Sequence, residues 1–195
     1  HGIFDSPTTA AHCVWLEDED FDILKRHGVT VACCPASNLK LASGYANVPK
    51  MLESGINVAL GTDGAASNNN LNIMQDMYLF GVVYKGYFRN PTIITPAEVL
   101  RAATRAGALS QGRGDSGLLA VSMRADLCVL NTDTPQFTPM TSAACNVVYA
   151  AQGADIRMTM VDGEVLYRDG EFKTIDIEKV KAEVQRRTDS ILSRL

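Results

Sequence analysis

The first 120 residues alternate short apolar runs with segments of helical periodicity. "VTVACCP" (residues 29–35) is a continuous run rich in β-branched residues, closed by Pro35, and reads as a buried strand. "INVALGTD" (residues 56–63) reads the same way, and "TTAAHCVWL" (residues 8–16) as a strand with its rim. Between them, "EDEDFDILKRHG" carries acids in its first turn, Phe21 and Leu24 on one face, and basic residues before Gly28, the charge order of a helix. "SNLKLASG" reads as a loop and "VPKMLESG" as a short helix stopped by Gly55. In "LNIMQDMYLFGVVYKGYF", Ile73, Met77, Phe80, Val83 and Tyr87 recur at helical spacing. Thr95, Pro96 and Glu98 then spell a capping box at the head of another helix. Short apolar strands alternating with helices imply parallel strands covered by helices, an α/β fold with three such units.

After about residue 120 the rhythm changes. "ADLCVLN", "NVVYAA" and "IRMTMVDGEVLYRDGEF" read as strands, with Asp162-Gly163 as a hairpin turn. The last stretch, "DIEKVKAEVQRRTDSILSRL", is an amphipathic helix with Val180, Val184 and Ile191 on one stripe. The expected organisation is therefore 1–120, 121–172 and 173–195. Three parallel strands alone leave two open edges, so the chain is expected to be part of a longer polypeptide.

Composition narrows the class. The chain has 195 residues, 46% hydrophobic and 21% charged, with a net charge of −4. That balance gives no electrostatic footprint for nucleic acid or an anionic membrane surface. No apolar run reaches the roughly 18 residues that a membrane span needs, and the start has no signal-peptide pattern. The five cysteines are an odd number without a C-x-x-C pair, so a zinc–thiolate site is not expected. Cys13, Cys128 and Cys145 stand in apolar contexts and are expected to pack as small hydrophobes in a reducing cytoplasm.

In parallel α/β folds the chemistry gathers at the C-terminal ends of strands. The three ends here carry His12, then Cys33-Cys34-Pro35-Ala36-Ser37-Asn38, then Asp63. A histidine and a carboxylate on one rim are the raw material of a metal or acid–base site. Each also has a plainer reading. Asp63-Gly64 is a turn dipeptide, His12 can be a hydrogen-bonded core residue, and Ser37-Asn38 can be a simple turn. His27 fits a dipole contact at a helix C-terminus, and His1 is terminal.

Four ordered blocks, "AHCVWL", "CCPASNLKLASG", "GINVALGTDGAASNNN" and "GLLAVSMRADLCVLN", resemble the amidohydrolase superfamily. The similarity runs over essentially the whole chain and is strongest to the 5-methylthioadenosine/S-adenosylhomocysteine deaminases and their chlorohydrolase relatives. It implies the last three strand–helix units of a (β/α)8 TIM-like barrel, part of a small β-sandwich and a C-terminal helix. It also implies a divalent metal, zinc by family habit, and a small purine-type substrate. Carried over by motif, His12 matches a substrate-facing histidine, and Asp63 matches an aspartate that binds the metal and accepts a proton from the attacking water. The H-x-H and H-x-x-E motifs of the family do not occur, and by family order they belong to a preceding barrel half. Relatives read "HNP" or "HCP" where this chain reads Cys33-Cys34-Pro35, which bears on substrate contacts and assigns Cys33 to packing rather than metal. The reaction implied is hydrolytic deamination. The alternatives are a triazine-type chlorohydrolase or guanine deaminase on the same scaffold, or a metal-free structural or interaction module. A homo-oligomer is compatible with each.

Overall fold

A computed structural model describes residues 2–195; His1 lies outside them. The fold is mixed α/β, with one parallel and one antiparallel sheet in two compact units. The first unit holds the residues up to Met123 together with Thr132–Asp155, and the second holds Arg124–Asn131 with Ile156–Leu195.

In the first unit, strands β1 (Thr9–Ala11), β2 (Thr30–Cys33) and β3 (Val58–Leu60) lie in that order, all parallel. Ala11 pairs with Ala32, and Ala32 with Ala59. Helix α1 (Asp18–Arg26) returns the chain from β1 to β2, burying Phe21 and Leu24, with Glu17 N–H donating to Asp20 at 2.8 Å. Helices α2 (Pro35–Lys40) and α3 (Val48–Glu53) connect β2 to β3. After β3 come a single turn, α4 (Ala65–Asn68), and the long α5 (Ile73–Phe88). Next follow α6 (Pro96–Ala103), capped reciprocally by Thr95 and Glu98, and α7 (Arg105–Ser110). The core forms where Val31, Val58 and Ala59 of the sheet and Met77, Phe80 and Tyr84 of α5 leave water.

Two segments differ from their sequence pattern. "SNLKLASG" is not a loop throughout: Pro35 opens α2, because proline's fixed φ and missing N–H suit the first helical position as well as they end a strand. "NVVYAA" is not a strand but most of helix α8 (Ala143–Tyr149). Ser142 caps it by accepting from Cys145 N–H at 3.3 Å, and Val148 is buried. Packing against α5 at Gly81 outweighs the β preference of the two valines: a Cβ on Gly81 would stand 3.2 Å from Val148 Cγ1 and 3.0 Å from Tyr149 Cε1.

The second unit is a four-stranded antiparallel sheet in chain order: β4 (Leu127–Leu130), β5 (Ile156–Val161), β6 (Glu164–Arg168) and β7 (Glu171–Phe172). Asp162 and Gly163 join β5 to β6 with φ of 51° and 82°, the paired left-handed geometry of a two-residue hairpin. Helix α9 (Ile177–Leu192) carries the expected apolar stripe, but none of its residues is buried. Cysteine packing also needs correction: Cys128 is exposed and Cys13 and Cys145 are half-buried, while Cys33 and Cys34 are the buried pair. Among the described residues, no helix is long and apolar enough to cross a membrane.

Candidate functional site

Parallel pairing brings the three strand ends to one edge of the sheet. His12 follows β1 directly, and its N–H still donates to Ala32 C=O at 2.9 Å, the last rung of the ladder. Gly61 N–H makes the matching bond to Cys33 C=O at 2.9 Å. Asp63 comes two residues later. Strands two apart stand roughly 9–10 Å from each other, so the side chains must lean inward across the end of β2 to meet. They do: His12 Nε2 lies 3.8 Å from Asp63 Oδ2.

The backbone is bent to achieve this. His12, Cys13 and Asp63 have φ of 67°, 45° and 61°, the left-handed region that costs a side-chain-bearing residue energy. Such conformations persist where the surroundings enforce them. Here the enforcement is a hydrogen-bond set on both side chains. Ser37 Oγ donates to Asp63 Oδ2 at 2.6 Å, and Gly64 N–H donates to Asp63 Oδ1 at 2.7 Å. His12 Nδ1 meets Asn38 Oδ1 at 2.8 Å. The Ser37 hydroxyl, then the Gly64 amide, hold the Asp63 carboxyl below the usual carboxylate range, with the His12 ring adding to the effect. Asp63 is thus a fixed carboxylate with lone pairs to spare.

Below the rim lies a buried carboxylate. Asp76 of α5 is 0% exposed and accepts from Ala36 N–H at 3.1 Å and from Asn68 Nδ2 at 3.0 Å. Asn68 also donates to Thr62 C=O at 2.7 Å. One acid therefore ties the start of α2 to the residue before Asp63. Burial raises its pKa, against the two hydrogen bonds. Burial pushes the Cys34 thiol up to about 11, with Asp63 and Asp76 adding to it, and that of Cys33 up to about 12. Cys33 Sγ sits 3.2 Å from Tyr84 Oη inside the core.

His12, Asp63, Ser37 and Ser67 line an open pocket of about 620 Å³ together with the apolar side chains of Val14, Trp15 and Leu41. Asp63 offers the hard oxygen donor that zinc and similar cations accept. Among the described residues no group of three or more His, Cys, Asp and Glu side chains could hold a metal ion. The residues present therefore fit one part of a metal site.

Both rim residues singled out from the sequence meet here. The sequence places Ser37 and Asn38 at the second strand end, with a turn as their plainer reading, and gives Asp76 no role. A signal existed for Asp76: it is an acid at i+3 from Ile73 and i−4 from Phe80, on the face of α5 that the helical pattern assigns to the core.

Parallel strands bearing His12 and Asp63 at one rim define an α/β class, and comparison with known proteins specifies the family. The amidohydrolase family model matches residues 2–166, and the chain belongs to that family. It is 45% identical to a 5-methylthioadenosine/S-adenosylhomocysteine deaminase of Acetivibrio thermocellus, over 98% of this chain and 44% of that protein. It is 42% identical to a 5'-deoxyadenosine deaminase of Methanosarcina mazei, over 100% of this chain and 45% of the relative. Among solved structures, an adenosine deaminase from Xanthomonas campestris with bound zinc superposes with a TM-score of 0.92 at 30% identity, over 95% of this chain and 42% of the other. An atrazine chlorohydrolase from Arthrobacter aurescens complexed with zinc gives 0.86 at 27% identity, over 91% and 40%. The chain spans less than half the length of the curated relatives it matches.

Proposed function

We propose that this chain carries the C-terminal arc of the active site of a metal-dependent aminohydrolase acting on adenosine-type nucleosides. In this reading β1–β3 are the last three strands of a (β/α)8 barrel. Asp63 is a metal ligand and proton acceptor, and His12 is the group facing the substrate. The observation that carries the reading is the meeting of His12 and Asp63 at 3.8 Å, both in left-handed backbone at one end of a parallel sheet. Relatives named as deaminases of 5-methylthioadenosine/S-adenosylhomocysteine and of 5'-deoxyadenosine support the substrate class.

When bound, a divalent metal lowers the pKa of a coordinated water to about 7. The remaining work falls to side chains. Asp63, ionised and held by Ser37 and Gly64, takes a proton from the water that attacks the ring carbon bearing the amino group. His12 stands beside Asp63 on the same rim, where it orients that water and the charge developing on the tetrahedral centre. Loss of ammonia completes the exchange of amino group for oxygen. Trp15, Val14 and Leu41 offer an apolar surface for a flat ring. The five free cysteines fit a reducing compartment.

A catalytic zinc normally takes three protein ligands, so residues 1–195 alone are expected to be inactive; the H-x-H and H-x-x-E motifs must come from elsewhere in the polypeptide. The test is ammonia release from methylthioadenosine, adenosylhomocysteine, 5'-deoxyadenosine and guanine by the polypeptide carrying all these motifs. Turnover of the adenosine compounds supports the reading. Guanine turnover alone, chloride release from a triazine instead, or no reaction would each overturn it.

A further inference from the structure

Ser37 and Asn38 are consecutive, polar and almost sealed from water, at 1% and 2% exposed. Both sit in the first turn of α2, which begins as soon as β2 ends and so lies between the other two strand ends. Each has a specific partner on the rim. Ser37 Oγ donates to Asp63, and Asn38 Oδ1 meets His12 Nδ1, each over 26 positions of sequence. The turn is itself held from beneath, because the Ala36 N–H between Pro35 and Ser37 is bound by Asp76. A solvated turn would spend neither side chain this way.

We propose that Ser37 and Asn38 are a positioning clamp for His12 and Asp63, and that Asn38 sets which imidazole nitrogen carries the proton. The proposal rests on the deaminase reading for its kinetic consequence but not for its structural one. An amide oxygen only accepts, so the facing Nδ1 must bear a hydrogen. A neutral imidazole has one N–H, which leaves a lone pair on Nε2. Nε2 and Asp63 Oδ2 are then two acceptors 3.8 Å apart. That spacing suits one water donating a hydrogen to each at about 2.8 Å, the ordinary O–H hydrogen-bond length. The clamp therefore creates a seat for a doubly donating water, oriented with its own lone pairs away from the two side chains. The opposite tautomer would place an N–H toward Asp63 and close that seat.

The histidine rings can be read directly by long-range proton–nitrogen NMR of the chain at about pH 8.5, roughly two units above the ordinary imidazole pKa. Only three histidines contribute, and His12→Asn identifies the signal of interest. His12 is expected as the Nδ1–H form. Asn38→Leu, similar in size but unable to accept, should shift it toward Nε2–H, and Asn38→Asp, which keeps the acceptor, should retain Nδ1–H. A wild-type Nε2–H ring, or an unchanged ring in Asn38→Leu, overturns the proposal; the wild-type spectrum decides even if the leucine variant fails to fold. In the deaminating polypeptide, Ser37→Ala and Asn38→Leu should each lower kcat by about 10–100-fold, with KM within about threefold. Asn38→Asp should recover most of that loss. Unchanged kcat in both would also overturn the clamp. If the spectra behave as expected but no ammonia is released by the wild type, the deaminase reading fails and the clamp stands. If deamination depends on Asp63 but the ring ignores Asn38, the reverse holds.

Discussion

At the scale of the residue, specific hydrogen bonds hold the rim and the buried acid beneath it. Asp76 is the sharpest case, since its two oxygens each accept one buried hydrogen bond. In Asp76→Asn the amide NH2 must face either Ala36 N–H or Asn68 Nδ2, donor against donor. A loss of about 1–3 kcal/mol follows, the cost of leaving a buried group unmet, and urea unfolding should read it. The buried thiols supply a pH test. Cys33 and Cys34 are raised to about 12 and about 11, whereas unfolded thiols ionise near their ordinary value. Between that value and about 11, the unfolded chain has released protons that the folded chain keeps, so stability is lost as pH rises through the window. The urea midpoint should fall between pH 8 and pH 10.5, and iodoacetamide at pH 8 should label exposed Cys128 well before either buried thiol. Equal labelling would contradict the burial argument. In the deaminating polypeptide, His12→Asn, which removes the ring lining the pocket, should lower turnover by about 10²–10⁴-fold, the scale of one positioned acid–base or electrostatic group.

At the scale of the element, close approach decides more than propensity. Gly81 lets α5 and α8 touch, and a Cβ there would meet Tyr149 and Val148 at 3.0 and 3.2 Å. Gly81→Val should therefore cost about 1–3 kcal/mol by overpacking, read as a lower urea midpoint with an unchanged slope. The same contact explains what the sequence pattern could not show. The parallel strands were legible because residues 29–35 and 56–63 are apolar and bounded by Pro and Gly, and the hairpin because Asp162-Gly163 accepts left-handed backbone. "NVVYAA" carries a strand-like local pattern because its helix depends on Gly81, more than sixty residues away. "SNLKLASG" reads as a loop because Pro35 ends β2 and also opens α2. At the site, His12 and Asp63 were legible as strand-end residues. Their supports were not, since Ser37 and Asn38 look like any turn until the third strand end is placed across from them.

At the scale of the whole molecule, the proposed reading makes the rim a source of one carboxylate and one imidazole for a site completed by other residues. Residues 1–195 after dialysis should hold well under one zinc per chain, because Asp63, even with His12 beside it, falls short of the usual three ligands. Metal analysis of the purified chain checks this, and stoichiometric, tightly held zinc would show the ligands to be misplaced. The polypeptide that also carries H-x-H and H-x-x-E should hold about one metal ion per chain.

The central claim is that Asp63 is a working ligand and base rather than a turn residue. The most direct measurement is ammonia release from methylthioadenosine by that polypeptide, wild type against Asp63→Asn. An amide neither takes the proton of the attacking water nor supplies negative charge to a metal, so turnover should fall by about 10³-fold or more. Near-normal turnover in Asp63→Asn would contradict the account and return "GTDGAASNNN" to the status of a turn.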